Sequence, residues 1–474
     1  MKKYYLIFTA LLLAISVGAK IKLPAIIDSN MVLQQQAKVN LWGESDKSKV
    51  VTVTTSWDNK SYTTKSSAEG EWLVQIQTPK AGGPHGITIS DGEKIELSNI
   101  LIGEVWICSG QSNMEMPVKG YRGQWIDGSL DAIAQANPEN NIRLITLKIN
   151  SSQTPLKDCE AKWNVSNPQT VANFSATAYF YAQYLQKTLN VPVGVICSSW
   201  GGSKIESWIN KEVYDTQFPE ISLDVLKKDP KDIARPKDEP TLLYNAMIHP
   251  IKNYTIKGAI WYQGESNKDE PEKYKRLFPA MVCSWRKIWN QGEFPFYYVQ
   301  ISPYDYGRQN ADKTDAAALR QVQLECMDLI PNSGMVVTAD IGHRTCIHPS
   351  PKDKVGKRLA LWALANTYKR EGTPYSGPIY KSFTVDGNKI TIDFNYSEMG
   401  ITSYDEDIVG FEIAGNDKVF YPAKAQLFDN KTKITLECEN VSNPITIRFG
   451  YKNYQPINLF SNYGLPASPF EASK

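Results

Sequence analysis

The sequence predicts an α/β protein in which helices cover both faces of a central parallel sheet and two β regions flank it. Between residues 100 and 372, short apolar stretches alternate with longer segments of helical periodicity, which is typical of a parallel sheet. Residues 20–99 and 373–474 instead contain short alternating stretches separated by turn residues, as β sandwiches do. The length of 474 residues fits about three domains of roughly 150 residues each.

Residues 1–19 have the pattern of a secretory signal peptide. Lys2 and Lys3 precede an apolar run at 4–17, and small residues up to Ala19 suit a signal peptidase. The run is shorter than the about 20 apolar residues that span a bilayer. We therefore expect cleavage after Ala19, a secreted or periplasmic protein, and no membrane span in the mature chain.

The two flanking regions are predicted to be an N-terminal β domain (20–99) and a C-terminal β domain (373–474). Turn residues such as Asp58-Asn59, Gly82-Gly83-Pro84 and Asp386-Gly387 separate their apolar stretches. The expected strands are 50–55, 72–76, 390–394, 434–436 and 445–449.

The segment 100–372 is predicted to be the α/β domain, between the two β domains. Buried strands are expected at 105–108, 193–197, 259–262 and 296–301. Helices are expected at 176–189, 272–289, 316–329 and 355–370. Because ligands of such sheets bind beyond the carboxyl ends of the strands, the loops after these strands are where chemistry is expected.

Composition and motif content exclude several classes of function. Lys and Arg number 52 against 50 Asp and Glu, so nucleic acid is not an expected partner. The four histidines are scattered and the seven cysteines include no CxxC pair, so no metal site is predicted. GxGxxG and GxxxxGK[ST] are also missing, and no cofactor is expected.

Four segments after the predicted strands carry candidate catalytic groups. Ser112 follows Gly110-Gln111, and Gly201 lies in a glycine-containing turn that opens a short helical stretch. Gln263 and Asn267 offer side-chain amides, and His348 precedes the last helix of this region. Each segment alone also fits a plain turn, a polar capping loop or a surface histidine. Together they supply a nucleophile, a base and oxyanion donors, which favours acyl transfer.

These segments also resemble the sialate O-acetylesterase family, which belongs to the SGNH hydrolases. The resemblance covers nearly the whole mature chain and implies a three-layer parallel sheet flanked by N- and C-terminal β-sandwich-like regions. It is carried by Gly110-Gln111-Ser112-Asn113-Met114, Trp200-Gly201-Gly202-Ser203-Lys204, Leu243-Tyr244-Asn245-Ala246-Met247, Tyr262-Gln263-Gly264-Glu265-Ser266-Asn267 and Ile347-His348-Pro349.

The resemblance implies that Ser112 is the nucleophile and His348 the base. The N–H groups of Ser112 and Gly201 would hold the oxyanion, together with an amide of either Gln263 or Asn267.

The sequence departs from the family beside the histidine. Relatives typically carry an Asp two or three residues before it, where this chain has Cys346 and Thr345. Asp340, Glu265 or a backbone carbonyl would then orient the ring, or the enzyme would work as a Ser-His dyad.

The expected function is therefore that of a carbohydrate O-acetylesterase that acts through a serine acetyl-enzyme, with O-acetylated sialic acids as the first substrate candidates. Acetylated xylan or another plant polysaccharide is an alternative substrate. A noncatalytic glycan-binding relative is the alternative from another class. A glycosidase with two carboxylates is less well supported, because no acidic pair stands out in the sequence.

Overall fold

The computed structural model describes residues 21–474, so the predicted signal peptide at 1–19 lies outside the described residues. All seven cysteines lie within the described part of the chain, and each is a free thiol. Among residues 21–474, no helix is both long enough and apolar enough to cross a membrane.

The N-terminal β region consists of strands that join one long strand, β7, and of a separate β2-β5 pair. β3 pairs with β4 and β6, β2 pairs with β5, and both β1 and β6 pair with β7. The predicted strands at 50–55 and 72–76 are confirmed. The strands are β1 (Val32–Gln34), β2 (Lys38–Glu44), β3 (Val50–Thr55), β4 (Ser61–Lys65), β5 (Glu71–Gln77), β6 (Gly82–Ser90) and β7 (Lys94–Gly110).

The second half of β7 lies at the centre of a parallel array. The array runs in the order β13-β12-β11-β7-β10-β8, and β9 pairs antiparallel with β8 at its edge. Through β7 it joins β1, β3, β4 and β6 in one mixed sheet of 11 strands. The further strands are β8 (Ile142–Thr146), β9 (Asn164–Val165), β10 (Val193–Ser199), β11 (Gly258–Tyr262), β12 (Phe296–Val299) and β13 (Ser333–Val336).

Three of the four predicted helices are confirmed to within one residue, and the fourth differs. The prediction at 355–370 becomes a helix that begins three residues earlier and ends at Trp362, followed by a π-helical turn at Ala363–Thr367. The helices are α1 (Ser112–Glu115), α2 (Ser129–Ala134), α3 (Pro168–Ala172), α4 (Ala176–Leu189), α5 (Lys211–Gln217), α6 (Pro271–Trp289), α7 (Asp315–Leu329) and α8 (Lys352–Trp362).

Alternate residues of β7 face two different cores. Val105 and Ile107 belong to one hydrophobic cluster, to which α6 and α7 contribute buried side chains. Trp106 and Cys108 belong to a second cluster, which contains the buried faces of α4 and α8. Because successive side chains of a strand point to opposite faces, these helix pairs cover opposite faces of the parallel array.

β7 is shared between the N-terminal region and the parallel array. Residues 94–97 pair with β6 and residues 101–103 with β1, whereas 104–110 pair with β10. The predicted boundary between residues 99 and 100 therefore falls inside a continuous strand.

The C-terminal region contains two four-stranded antiparallel sheets, ordered β14-β15-β20-β19 and β18-β17-β21-β23, and a short β16-β22 pair. The expected strands at 390–394, 434–436 and 445–449 are confirmed within one residue at each end. The strands are β14 (Ile379–Asp386), β15 (Lys389–Asn395), β16 (Ile401–Thr402), β17 (Phe411–Ala414), β18 (Tyr421–Pro422), β19 (Lys424–Phe428), β20 (Lys433–Glu437), β21 (Thr446–Phe449), β22 (Phe460–Ser461) and β23 (Phe470–Ser473).

The contact between α4 and α8 depends on a glycine. A Cβ atom at Gly356 would lie 2.6 Å from the backbone nitrogen of Tyr181 and 2.7 Å from Cβ of Phe180. Both neighbours belong to α4, and one of the two atoms is backbone. A side chain at this position would therefore clash unless the two helices moved apart.

We expect Gly356→Ala to lower the free energy of unfolding by about 1–3 kcal/mol, because the added methyl group overpacks the interface. Helix propensity alone predicts the opposite sign, a gain of about 1 kcal/mol. Chemical denaturation distinguishes the two, with Lys354→Ala at an exposed position of the same helix as the control. A stabilised Gly356→Ala protein would contradict this account of the packing.

Candidate active site

The loops that were predicted to carry the chemistry begin side by side at one edge of the central sheet. Gly110, the last residue of β7, is in register with Ser199 of β10 on one side and Tyr262 of β11 on the other. Because the three strands are parallel, their carboxyl ends and the loops that follow meet at the same edge.

A tight turn at Gly110 brings Ser112 to this edge. Gly110 has φ 141°, and a Cβ atom there would lie 2.1 Å from the carbonyl oxygen of Tyr262, so only glycine fits. The Gln111 N–H donates to that same oxygen at 3.0 Å. Ser112 then opens α1, where the N–H groups of the first turn have no preceding turn to donate to. Its side chain is only partly buried and is therefore accessible.

Ser112 and His348 form a hydrogen bond although 236 positions separate them. His348 Nε2 lies 2.9 Å from Ser112 Oγ, and His348 Nδ1 lies 2.9 Å from Oε1 of Gln124. A side-chain carbonyl oxygen can only accept, so Nδ1 carries the proton and Nε2 presents its lone pair to the serine hydroxyl. This is the tautomer that a general base requires.

The environment of His348 keeps its ring neutral. Burial lowers the pKa of His348 to about 4, and the positive charge of Lys352 acts in the same direction. The ring of Tyr121 packs edge-on against the imidazole, with 5.4 Å between the ring centroids. An uncharged imidazole is the form that can accept a proton near neutral pH.

A carboxamide orients His348, at the place for which Asp340, Glu265 and a backbone carbonyl were the candidates. Asp340 forms a bidentate pair with Arg358, with N–O distances of 2.8 and 2.7 Å. Glu265 accepts a hydrogen bond at 2.6 Å from the amide of the residue after the serine. The predicted candidates Asp340 and Glu265 are thus engaged elsewhere, and Nδ1 of His348 is bonded to Gln124 rather than to a backbone carbonyl.

Gln124 could not have been identified from the sequence by any local signal. It lies in the loop between α1 and α2, in the run Gly120-Tyr121-Arg122-Gly123-Gln124, which reads as an ordinary polar turn. Its partner lies 224 positions further along the chain.

Gly201 lies directly against the serine, as the oxyanion prediction requires. A Cβ atom at Gly201 would be 3.3 Å from Cβ of Ser112 and 3.3 Å from Oε2 of Glu115. The Gly201 N–H donates to this Glu115 oxygen in a short hydrogen bond, and Lys237 Nζ donates to the Gly201 carbonyl oxygen at 2.6 Å. The predicted oxyanion donor therefore binds a carboxylate oxygen.

The two amides predicted as further oxyanion donors lie in a buried network. Gln263 Nε2 donates to Ser203 O at 3.0 Å and to Asn267 Oδ1 at 2.8 Å. Asn267 Nδ2 donates to Glu206 Oε2 at 2.9 Å. These bonds hold the loop after β11 to the loop after β10, and they leave neither amide directed at Ser112.

A second buried network joins the serine loop to the histidine loop. Lys352 Nζ donates to Asn113 Oδ1 at 2.6 Å and to Pro349 O at 2.9 Å. Asn113 Nδ2 donates to Glu265 Oε1 at 2.6 Å and to Ile347 O at 3.1 Å. The residues on both sides of the histidine are thereby tied to the residue after the serine.

Burial draws both charged members of this network toward their neutral forms. It lowers the pKa of Lys352 to about 7, while the negative charge of Glu265 acts in the opposite direction. Burial raises the pKa of Glu265, against hydrogen bonds and the charge of Lys352, which lower it. At the acidic pH where His348 titrates, Lys352 is protonated and opposes a second positive charge nearby.

Within residues 21–474, no group of three or more His, Cys, Asp or Glu side chains is arranged to hold a metal ion.

We expect Lys352→Met to raise the pKa of His348 from about 4 toward its ordinary value of 6.5, because the variant removes a nearby positive charge. An NMR titration of the imidazole measures this shift without requiring activity. Lys354→Met removes an exposed lysine of the same helix and should leave the pKa unchanged. Lys352→Arg keeps the charge and should preserve the low value, and equal shifts in all three variants would contradict the assignment.

Comparisons with known proteins identify the family to which the chain belongs. Residues 102–365, more than half of the chain, match the sialic acid-specific acetylesterases, a family of carbohydrate esterases. The sialate O-acetylesterases of Mus musculus and Homo sapiens are each 27% identical to this chain and align with 96% of it, and with 95% and 93% of their own lengths.

A solved structure extends the similarity to the whole fold. The crystal structure of a carbohydrate acetylesterase from Xanthomonas citri matches with a TM-score of 0.87 and 31% identity, and the match covers 96% of this chain and 100% of that one. The family resemblance predicted from the sequence motifs is thus confirmed. The chain belongs to the sialic acid-specific acetylesterase family of carbohydrate esterases, whose members are hydrolases of carboxylic esters.

Proposed function

We propose that this protein removes O-acetyl groups from carbohydrates through a serine acetyl-enzyme. One observation carries the proposal: His348 lies 2.9 Å from Ser112 Oγ, and its other nitrogen lies 2.9 Å from Gln124. A nucleophile within reach of a base that a third group orients is the arrangement of covalent acyl transfer. Family membership supplies the reaction class, hydrolysis of an acetyl ester on a sugar.

In the first half of the reaction, Ser112 Oγ attacks the acetyl carbonyl carbon while His348 Nε2 takes the hydroxyl proton. The C–O bond to the sugar then breaks, and the same Nε2 returns the proton to the departing sugar oxygen. In the second half, His348 takes a proton from water, whose oxygen attacks the acetyl-enzyme carbonyl. Acetate is released, and the proton returns to Ser112.

The N–H groups of Ser112 and Gly201 are the proposed donors to the negative oxygen of each tetrahedral intermediate. The Gly201 N–H already donates to a carboxylate oxygen, that of Glu115, which supports this assignment. One such donor contributes about 2.7–4 kcal/mol to lowering the barrier. Gln263 and Asn267 are then needed for the shape of the loops rather than for direct contact with the oxyanion.

O-acetylated sialic acid is the first substrate candidate, because the mammalian relatives are named sialate O-acetylesterases. The Xanthomonas citri structure is named only as a carbohydrate acetylesterase, which keeps acetylated xylan or another plant polysaccharide as the alternative. The hydrogen bond between Ser112 and His348 speaks against a noncatalytic glycan-binding role. We also assign the parallel array to the SGNH type, on the serine after β7, the glycine after β10 and the histidine ahead of α8.

We expect Ser112→Ala to reduce kcat/KM by about 10⁴-fold or more, because no other group forms the acetyl-enzyme. Acetate release from 4-nitrophenyl acetate, O-acetylated sialic acid and acetylated xylan measures the loss. The same three rates for the unmodified protein rank the candidate substrates.

Ser109→Ala is the matched control, because Ser109 is a buried serine near the end of β7, the strand that leads to Ser112, and is not part of the proposed site. It should retain activity. Residual activity of Ser112→Ala near that of the control would refute the serine mechanism.

We expect Gln124→Ala to lower kcat by about 10- to 100-fold, less than the roughly 10⁴-fold loss that follows when an orienting aspartate is neutralised. Gln124→Glu should restore orientation and add a negative charge beside Nδ1. The added charge favours the imidazolium, so the acidic limb of the pH–kcat/KM profile should move to higher pH.

Gln135→Ala, at an exposed glutamine just after α2, is the control for these two variants. If Gln124→Ala kept full kcat and Gln124→Glu left the acidic limb in place, Gln124 would have no role in orienting the base.

A further inference from the structure

A carboxylate occupies the donor that the reaction intermediate needs. Oε2 of Glu115 accepts the hydrogen bond of the Gly201 N–H, and it would lie 3.3 Å from a Cβ atom at Gly201, the same distance as Cβ of Ser112. A backbone N–H has a single hydrogen. The acetyl oxygen of a substrate can therefore use this donor only after the Glu115 carboxylate has left it.

The carboxylate is also electrostatically unsuited to remain. A developing oxyanion beside an ionised Glu115 would place two negative charges within a few ångströms, which is strongly unfavourable in a partly buried site. Burial raises the pKa of Glu115 above its ordinary value, although the hydrogen bond from Gly201, the charge of Lys237 and a hydrogen bond from Tyr121 act in the opposite direction. In the position that the structure shows, these three partners favour the ionised form of Glu115.

The backbone of Glu115 is anchored by its neighbours, whereas its side chain is only partly buried. Glu115 is the last residue of the four-residue α1, and its neighbours Met114 and Met116 are fully buried and anchor the backbone. A rotation about its side-chain bonds is enough to release Gly201. The displaced carboxylate would remain near Ser112, because the backbone of Glu115 is anchored only three residues after Ser112 in the chain.

Displacement alone does not distinguish one acetyl ester from another. Every acetyl ester places the same carbonyl oxygen at the same donor, so the free-energy cost of displacing Glu115 is the same for each. A ligand favours the displaced arrangement over the resting one only if it interacts differently with the two. An ionised carboxylate can only accept hydrogen bonds, so the complementary chemistry is a hydroxyl donor. Sugars carry such hydroxyls next to the acetylated oxygen, and simple aryl acetates do not.

We propose that Glu115 is a sugar-recognising residue: the substrate's acetyl oxygen displaces its carboxylate from the Gly201 N–H, and the displaced carboxylate accepts a hydrogen bond from a free hydroxyl of the sugar. The proposal rests on the esterase function proposed above and specifies how that site selects carbohydrate esters. The carboxylate of Glu115 contacts the substrate but takes no part in proton transfer.

The test compares two neutral acetyl esters on Glu115→Ala and Glu115→Gln. One is a monoacetylated methyl glycoside with free neighbouring hydroxyls, and the other is 4-nitrophenyl acetate. We expect kcat/KM for the glycoside to fall relative to that for the aryl acetate by about 10- to 100-fold, the effect of losing a hydrogen bond to a charged group. The aryl acetate rate itself should rise in Glu115→Ala, because the Gly201 N–H is then no longer occupied by a carboxylate.

Two further variants sharpen the result. Glu115→Asp keeps the charge on a shorter side chain, so it should recover part of the preference for the glycoside. Glu139→Ala removes an exposed acid outside the site and should leave both rates unchanged.

A change by a common factor for both esters, in either direction, or no change at all would overturn the inference. That result is distinguishable from failure of the proposed esterase function, which would appear instead as retained activity of Ser112→Ala.

Discussion

The parallel hydrogen bonds that β7 makes to β10 and β11 determine where the serine loop and the two loops beside it lie. They set Gly110 in register with Ser199 and Tyr262, and the close approach of Gly110 to the Tyr262 carbonyl fixes the turn from which the serine emerges. A slip of one residue would exchange the two faces of the strand and move Trp106 and Cys108 into the wrong core. The burial of both faces thus protects the register, and through it the position of the nucleophile.

Two buried polar networks tie the loops of the site to one another. One holds Asn113 between Lys352 and Glu265, and the other joins Gln263 to Asn267. Burying a polar group costs free energy unless the group is hydrogen-bonded. Moving one loop would break hydrogen bonds of buried groups in the neighbouring loops, so each loop is held in place. The loops therefore form one unit, although they come from distant parts of the chain.

The elements that the sequence predicted best are those with local signals. α4 begins after Ser175, whose hydroxyl accepts a hydrogen bond from the Ala178 N–H, and ends just before Asn190, which adopts the left-handed conformation. Residues next to the helix therefore determine both of its ends. α8 was misplaced because its first residue, Lys352, is buried by contacts made 239 positions away. In the sequence alone, a lysine at this position is expected to be exposed, because its partner Asn113 is distant in the chain.

The same distinction separates the site residues that were predicted from those that were not. Ser112 and Gly201 follow strand ends, His348 precedes a predicted helix, and all three lie in family motifs, so the sequence points to them. Gln124 and Glu115 act on partners 224 and 86 positions away, through contacts that only the folded loops create. Their polar side chains have no local pattern that distinguishes them from ordinary turn residues.

The sharing of β7 also limits how this protein could have been assembled by recombination. A module can be exchanged between genes only if its removal leaves the hydrogen bonds of the remainder intact. Here the first ten residues of the strand pair with the N-terminal region and the last seven with the parallel array, so a crossover anywhere along β7 would leave one side with a mismatched strand. The N-terminal β region and the esterase core are therefore expected to be inherited together.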